Sequence, residues 1–359
     1  MTEPIAFETV GPGLHRVCGY ADARAVLVDP RFVHWLRRDG APTPVATAIA
    51  RWLDAMDPRH GHPARATVIR ALGPAASSAA RPALERRAEV LFEAFPADLA
   101  VDIELAFARP LTHALVFDVL GVDEASRPAL EPLIEALDTY VPRALFPMPD
   151  QPHDAGLFDT WERTLASVAG AGGLAAALRD DLVTEDARSD LGVFTAMFAF
   201  AATGNITRFI ARAAYGLAAW PERWRTLDEQ PGALAATLEE WLRYDPPLAF
   251  VHLIASERIA DGAIAAGDSV FVALGEANHD PAAFDAPHDF RPDRRPQHLA
   301  FGSGPLTCIG AAVARMLARA AIGRLIAMSE PAGGEALPFP LVRLRRRVQA
   351  RGVTADATT

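Results

Sequence analysis

The sequence predicts a mainly α fold with a minor β part, and three observations support that prediction. Apolar residues recur with helical spacing through most of residues 45–245. After Pro246-Pro247 the pattern changes to short runs rich in β-branched residues, which glycine-containing turns separate. A glycine-rich loop around Cys308 then leads directly into a last helical pattern. We expect residues 1–359 to form a single domain, helical over about 45–245 and strand-rich over about 246–359, with the loop in the second part.

Each element is predicted from a local signal. Residues 15–18 are strand-like and residues 20–27 helical, and Asp29-Pro30 ends this helix because a proline disfavours the α conformation in the residue before it. Further helices are expected at 45–56, 63–72, 81–95, 103–120, 127–141, 157–168, 174–182, 191–220, 221–227 and 234–244. Strands are expected at 251–255, 258–259 and 269–274, then a helix at 309–328 and a strand at 339–344.

Composition excludes several classes of protein. The net charge of −10 argues against nucleic acid as a partner, since proteins that bind it present basic surfaces. Two cysteines are too few for a disulfide framework and fit a reducing cytosol. The acidic, proline-containing start is unlike a signal peptide, and no apolar run reaches the roughly 20 residues that span a bilayer. We therefore expect a cytoplasmic protein that binds neither nucleic acid nor membrane.

The clearest chemical signal is a cysteine set between glycines. The segment reads Phe301-Gly302-Ser303-Gly304-Pro305-Leu306-Thr307-Cys308-Ile309-Gly310, and a strongly helix-forming run follows it. Cys308 is therefore expected close to a helix N-terminus, where free amides and the helix dipole favour a thiolate. A thiolate held in this way is a good axial ligand for haem iron. The alternative is a buried structural cysteine.

Segments along nearly the whole chain resemble the cytochrome P450 family of soluble bacterial type. The cysteine segment is similar to the family's haem-binding loop, Phe-Gly-x-Gly-x-x-x-Cys-x-Gly, and Glu240-Trp241-Leu242-Arg243 to its Glu-x-x-Arg helix. The resemblance implies the P450 fold, enclosing haem b (iron protoporphyrin IX). It also implies that Cys308 ligates the iron and that the ion pair is structural. The loop residues expected to contact the haem are Phe301, Gly302 and Gly310.

The haem propionates need cationic or hydrogen-bonding partners, because buried carboxylates are costly when unpaired. Three positions at which the family commonly carries such a partner hold Gly61, Leu253 and Leu306 in this sequence. Arg65 keeps a fourth position, so we expect Arg65 to be the main propionate ligand. The histidines expected to assist it are His62, His252 and His298.

The apolar helix predicted at 191–220 resembles the family's long helix over the distal haem face. There the family usually carries an acid and an alcohol that deliver protons during dioxygen activation. This chain reads Ala201-Ala202-Thr203-Gly204-Asn205, so Gly204 replaces the acid and Asn205 the alcohol. An amide can orient water but is a poor proton donor. The candidate catalytic residues are Ala201, Thr203, Gly204 and Asn205, and a shift of one residue would give Thr203 or Thr207 the alcohol's role.

The resemblance implies a haem-thiolate oxidoreductase acting on a hydrophobic or natural-product biosynthetic intermediate. We expect a monooxygenase, hydroxylating or epoxidising, to which the substrate or water delivers protons. Two alternatives stay open: haem-dependent coupling, cyclisation, rearrangement or peroxide-driven oxidation without the usual dioxygen activation, and a non-catalytic haem-binding homologue. Electrons are expected from a separate ferredoxin and ferredoxin reductase.

The substrate is expected in a mainly apolar pocket. Its predicted wall residues are Phe198, Ala202, Leu248, Phe250 and Val251. The segment between Phe32 and Met56 is short for the family, which favours an open pocket. The small-molecule substrate is therefore either free or tethered to a carrier.

Overall fold

The computed structural model describes residues 5–36, 43–95, 100–145, 156–182, 190–259, 263–332 and 337–346. Within these ranges helices dominate and small sheets complete the fold, which confirms the predicted fold class. The helices are α1 (Tyr20–Val28), α2 (Pro44–Met56), α3 (Pro63–Ala71), α4 (Pro74–Glu93), α5 (Arg109–Leu120), α6 (Glu131–Leu145), α7 (Leu157–Val168), α8 (Gly173–Asp181), α9 (Leu191–Ala218), α10 (Pro221–Glu229), α11 (Leu234–Tyr244), the short α12 (Leu274–Ala277) and α13 (Ala311–Met328).

The principal sheet joins the N-terminal strands to those that follow the proline pair. The strands are β1 (Glu8–Gly11), β2 (Leu14–Val17), β3 (Phe32–His34), β4 (Val101–Asp102), β5 (Phe250–Ala255), β6 (Ser269–Ala273), β7 (Ser329–Pro331), β8 (Leu341–Val342) and β9 (Leu344–Arg346). The five-stranded sheet has the order β1-β2-β6-β5-β3, while β4 pairs with β8 and β7 with β9. Strand β3 runs antiparallel to β5, which brings residues distant in sequence together.

Several predicted boundaries are wrong, and backbone chemistry explains the differences. Helix α4 begins at Pro74 rather than at residue 81, because proline is tolerated in a first helical turn. The helix predicted at 103–120 is divided into a π-helical turn, Glu104–Ala108, and α5. The strand predicted at 258–259 is only an isolated bridge between Ile259 and Ile264. The strand predicted at 339–344 is replaced by two short strands that pair with different partners.

Helix α9 forms the centre of the helical core. Its apolar residues are buried on nearly all sides, as the sequence predicts for a helix without a polar face. Among the described helices it is the one whose length and hydropathy would suit a membrane span, but 67% of that window is buried inside the fold. It is therefore placed as a core helix would be, against α5, α6 and α7.

Glu240 and Arg243 form a fully buried ion pair on α11. The Arg243 guanidinium donates to both carboxylate oxygens of Glu240, at 2.8 and 2.9 Å, and both side chains are 0% exposed. The remaining N–H groups of Arg243 donate to backbone carbonyls of the irregular segment 278–289, which are those of Asn278, Pro287 and Asp289. Glu240 also accepts from the backbone N–H of Arg291 at 2.9 Å. The pair thus fastens this segment to α11.

Two glycines allow the backbone after α5 to touch the start of α8. Gly121 and Gly173 both have a φ of 85°, a region that disfavours other residues. A Cβ atom on Gly173 would lie 2.5 Å from the backbone nitrogen of Gly121.

We expect Gly173→Ala to lower the free energy of unfolding by about 1–3 kcal/mol, measured by urea denaturation with circular dichroism. Gly232→Ala is the matched control, since its Cβ would meet nothing within 4 Å; equal midpoints for the two variants would contradict this prediction.

Candidate active site

A largely apolar cavity of about 410 Å³ lies between α9 and the cysteine loop. Cys308 lines it from the loop, and α9 contributes Phe198, Ala201, Ala202 and Asn205. The arrangement follows from helix geometry, because residues three and four apart share one face of a helix. The cavity therefore combines a thiol with one face of the central core helix.

The cysteine loop is closed by its own backbone. The N–H of Cys308 donates to the carbonyl of Phe301 at 2.8 Å, and the Thr307 hydroxyl donates to the carbonyl of Gly304 at 2.8 Å. Gly304 has a φ of 65°, and a Cβ atom there would lie 2.5 Å from Val28 Cγ1 on α1. Glycine is thus required where the loop approaches α1.

Burial raises the pKa of the Cys308 thiol, although the backbone N–H of Gly310 and the Arg315 guanidinium lower it. Desolvation thus opposes the thiolate that the sequence predicts, while the N–H of Gly310 and the Arg315 guanidinium favour it. Helix α13 begins at Ala311, so Cys308 lies three residues before it, among apolar cavity walls that do not solvate an anion. A metal cation bound at the sulfur would remove that cost, since a coordinating thiol is deprotonated.

A charged cluster supports the loop from behind. Glu239 accepts from Arg315 at 2.6 and 2.9 Å and from His298 Nε2 at 3.2 Å. Burial raises the pKa of Glu239, but the hydrogen bonds from His298 and Arg315 outweigh burial and lower it to about 2. The Arg315 guanidinium also lies 4.5 Å from the centre of the Phe301 ring. The cluster therefore holds Phe301, which lines the cavity together with Gly302 and Gly310.

The residues predicted to hold the propionates do not line this cavity. His298 is bonded to Glu239, and its Nδ1 accepts from the backbone N–H of Ala300 at 3.2 Å. His252 is stacked between Trp35 and Phe271 and lies 2.9 Å from the Ser269 hydroxyl. The structure therefore does not bring these two side chains to the cavity. Each imidazole finds a closer partner, which sequence position alone does not reveal.

Arg65 and His62 also lie outside the cavity lining. Arg65 Nε donates to the backbone carbonyl of Met56 at 2.9 Å, and Met56 itself lines the cavity. His62 caps α3 by accepting from the N–H of Ala64 at 3.2 Å. Met56 therefore separates Arg65 from the cavity, where Arg65 was predicted to meet the haem propionates.

On α9 the structure separates the candidate catalytic residues. Asn205 and Ala201 line the cavity, and Asn205 Nδ2 donates weakly to the Ala201 carbonyl at 3.4 Å. Gly204 does not line it, and the hydroxyls of Thr203 and Thr207 are buried elsewhere without a hydrogen-bond partner. At about 100° per residue, positions 203 and 207 lie far from the face that positions 201 and 205 share. The one-residue shift that would make either threonine the alcohol is therefore not supported.

Four of the five predicted pocket residues line the cavity: Phe198, Ala202, Leu248 and Val251. Phe250 does not; it is 51% exposed, and its ring lies 5.5 Å from that of Phe271. Successive side chains of a strand point to opposite faces, so Val251 and Phe250 of β5 cannot both face the cavity.

The sequence prediction missed His34, which lines the cavity from β3. The available signal was the strand-like run Phe32-Val33-His34, whose ends share one face if residues alternate. The segment after it, residues 37–42, lies outside the described residues, as does most of 145–157.

The side chains around Cys308 fit a haem better than a protein-ligated metal ion. No group of three or more His, Cys, Asp or Glu side chains that could hold a metal ion occurs in the described parts of the chain. An iron at Cys308 must therefore bring most of its ligands with it, as the nitrogens of a porphyrin do. The cavity supplies one soft sulfur donor and apolar side chains against which a flat macrocycle can pack.

Comparison with known proteins decides the family. A family model described as Cytochrome P450 matches residues 232–328. Cytochrome P450 monooxygenase PikC of Streptomyces venezuelae is 31% identical over 329 residues, which are 86% of this chain and 76% of PikC. This chain belongs to the cytochrome P450 family. The biotin biosynthesis cytochrome P450 of Bacillus subtilis is a more distant relative of this P450, 26% identical over 88% of this chain and 82% of that protein.

Solved structures agree on the fold of this P450. P450BioI in complex with an acyl carrier protein ligated with hexadec-9Z-enoic acid superposes with a TM-score of 0.77 at 23% identity, covering 96% of each chain. The tirandamycin C-bound P450 monooxygenase TamI superposes with a TM-score of 0.69 at 25% identity, over 93% of this chain and 90% of TamI. The P450 is therefore an oxidoreductase with the P450 fold, and its cofactor is haem b.

Proposed function

We propose that this P450 is a haem-thiolate monooxygenase in which Cys308 is the iron ligand. The observation that carries the proposal is that the Cys308 thiol opens into an apolar cavity shared with α9. When bound there, haem supplies the oxygen-activating chemistry, and thiolate donation favours O–O cleavage. Phe301, Gly302 and Gly310 would pack against the haem, while Arg315 and Glu239 would hold the loop in place.

Asn205 is the polar residue that α9 contributes to the cavity wall. Its amide can bind and orient a water molecule, because it can both donate a hydrogen bond to water and accept one from it. It has no proton to release at neutral pH, so the proton must come from that water or from a substrate hydroxyl. We infer that the role of Asn205 is to position the proton donor rather than to be one.

The cavity walls favour a hydrophobic substrate, such as a natural-product biosynthetic intermediate. TamI was solved with tirandamycin C bound and P450BioI with an acyl carrier protein, so both free and carrier-tethered ligands have precedent in this fold. The short segment between Phe32 and Met56 supports access for a tethered substrate. We further propose that a separate ferredoxin and its reductase supply electrons in the cytoplasm.

Isotopically labelled dioxygen tests the proposed reaction. A panel of hydrophobic compounds and their carrier-linked forms is first screened for a spin-state shift of the Soret band. The compound that shifts the band is then incubated with the holoprotein, NADPH, ferredoxin and ferredoxin reductase. We expect a product that gains one labelled oxygen atom. A product that loses two hydrogens, an isomer, or an unlabelled oxygenated product would contradict the monooxygenase proposal.

Asn205→Ala tests the proton path. We expect its dioxygen-driven turnover to fall by about 10- to 100-fold, because the water that Asn205 positions is lost. Peroxide-driven turnover should be unchanged, since it does not require that step. Thr203→Val is the matched control, as its hydroxyl lies outside the cavity, and both activities should stay at the wild-type level. A fall in Thr203→Val without one in Asn205→Ala would contradict the assignment.

A further inference from the structure

The cavity contains little positive charge for a ligand that carries two carboxylates. Among the described residues that line it, the ionisable side chains are those of His34 and Cys308. A haem b has two propionates, and a carboxylate that leaves water needs a hydrogen-bond or charge partner. With Cys308 directed at the iron, His34 is the ionisable lining side chain that remains to meet a propionate. The other lining donors are the indole of Trp52, the amide of Asn205 on α9 and the hydroxyl of Thr307, which already donates to Gly304.

We infer that His34 hydrogen-bonds a haem propionate in this P450, an inference that rests on haem binding against Cys308. The sheet register places His34 for this role. His34 on β3 pairs directly with Leu253 on β5. Residues directly opposite in an antiparallel pair point to the same face, with Cβ atoms about 4.5–5.5 Å apart. Leu253, which is 0% exposed, is one of the three positions at which the family commonly carries a propionate partner. His34 therefore brings a donor to the same face from the neighbouring strand.

His34 is free to make this contact. It forms no hydrogen bond or ion pair within the described part of the chain. An imidazole carries at least one N–H in either protonation state, so the contact does not depend on titration of the ring. Burial lowers the pKa of His34, and the carboxylate of Asp57 opposes that shift. Of the other charged groups near it, Asp54 also raises the pKa of His34, while Arg59 and His60 lower it.

The nearest alternative cations are committed elsewhere. Arg59 is paired with Asp57 and also donates to the carbonyls of Pro30 and Phe32. The histidines first expected to assist Arg65 at the propionates all form hydrogen bonds outside the cavity; they are His62, His252 and His298. Arg65 is the remaining rival, since it makes no ion pair among the described residues and borders the cavity through Met56.

The test measures how fast the holoprotein loses haem to excess apomyoglobin. The variants are His34→Leu, which removes the donor, His34→Gln, which keeps one, and Arg65→Leu for the rival. His60→Leu is the matched control, because His60 is exposed and does not line the cavity. We expect His34→Leu to lose haem about tenfold faster or more, as for a hydrogen bond to a charged group. His34→Gln should stay within about threefold of wild type, and His60→Leu should not differ from it.

Resonance Raman bands of the propionates report their hydrogen bonds. These bands would not shift if His34 only supported the fold. They should shift in both His34 variants and stay in place in His60→Leu. If His34→Leu fails to fold by circular dichroism, the bands of His34→Gln decide the question. Wild-type haem loss and unshifted bands in the His34 variants would overturn the inference, whatever Arg65→Leu does. Failure of the proposed ligation is distinct, because the wild-type reduced CO complex would then lack the strongly red-shifted Soret band.

Discussion

In Cys308→Ala we expect the reduced CO complex to lose its strongly red-shifted Soret band and turnover to fall to background. The reason is that the thiolate supplies the electron donation on which that spectrum and O–O cleavage depend. Cys308 is the only sulfur nucleophile among the described residues that line the cavity, so no neighbour can replace it. The effect is measured by the absorption spectrum of the reduced CO complex minus that of the reduced protein, together with the haem content of the purified protein.

Cys18→Ala is the matched control for this substitution. Cys18 accepts a hydrogen bond from Arg16 Nε at 2.9 Å and does not line the cavity. Its variant should keep both the red-shifted band and turnover. A red-shifted band that persists in Cys308→Ala would exclude Cys308 as the iron ligand.

Breaking the buried Glu240–Arg243 pair should cause the largest loss of stability. We expect Glu240→Ala or Arg243→Ala to lower the free energy of unfolding by about 3–5 kcal/mol. Glu240→Ala leaves the Arg243 charge unpaired at a site that is 0% exposed, and Arg243→Ala leaves Glu240 with only the longer 3.4 Å ion pair to Arg294. That is a large part of the total stability of a typical domain, about 5–15 kcal/mol. Urea denaturation followed by circular dichroism measures the change.

The double variant Glu240→Leu/Arg243→Met separates the pair from its other contacts. Replacing an isolated buried pair by apolar residues often restores stability. Here the backbone carbonyls of Asn278, Pro287 and Asp289 would still lose their donor, so we expect only partial recovery. Asp285→Ala is the control: it breaks an exposed pair with Arg291 and should cost less than about 1 kcal/mol. Full recovery in the double variant would contradict the bracing role.

The local patterns predicted most of the helices and the cysteine loop. The limits of α7 agree with the prediction, and so do those of α11. These segments combine clear apolar spacing with a glycine or proline boundary, so local chemistry decides them. The prediction was weaker for short strands, since the pairing partner rather than the segment determines whether a strand forms. Residues 258–259 make one isolated bridge for this reason.

Side-chain direction accounts for the errors at the site. Asn205 was selected because it stands where the family carries the alcohol of the distal helix, and it does line the cavity. His252 was selected because it adjoins Leu253, and His298 because it precedes the haem loop. Each is turned toward a ring or carboxylate that another segment contributes. Conversely, His34 belongs to none of the motifs that the sequence analysis identified. It faces the cavity because β3 pairs with β5.

The sequence by itself determined the family, the thiol set in its glycine-rich loop, and the replacement of the usual acid and alcohol by Gly204 and Asn205. These features depend on residue identity and on spacing within one segment. Only the tertiary structure decided which polar groups line the cavity, where it places His34 and none of the predicted histidines. The physical reason is that such contacts depend on strand register and on competing partners far away in sequence, which local patterns do not contain.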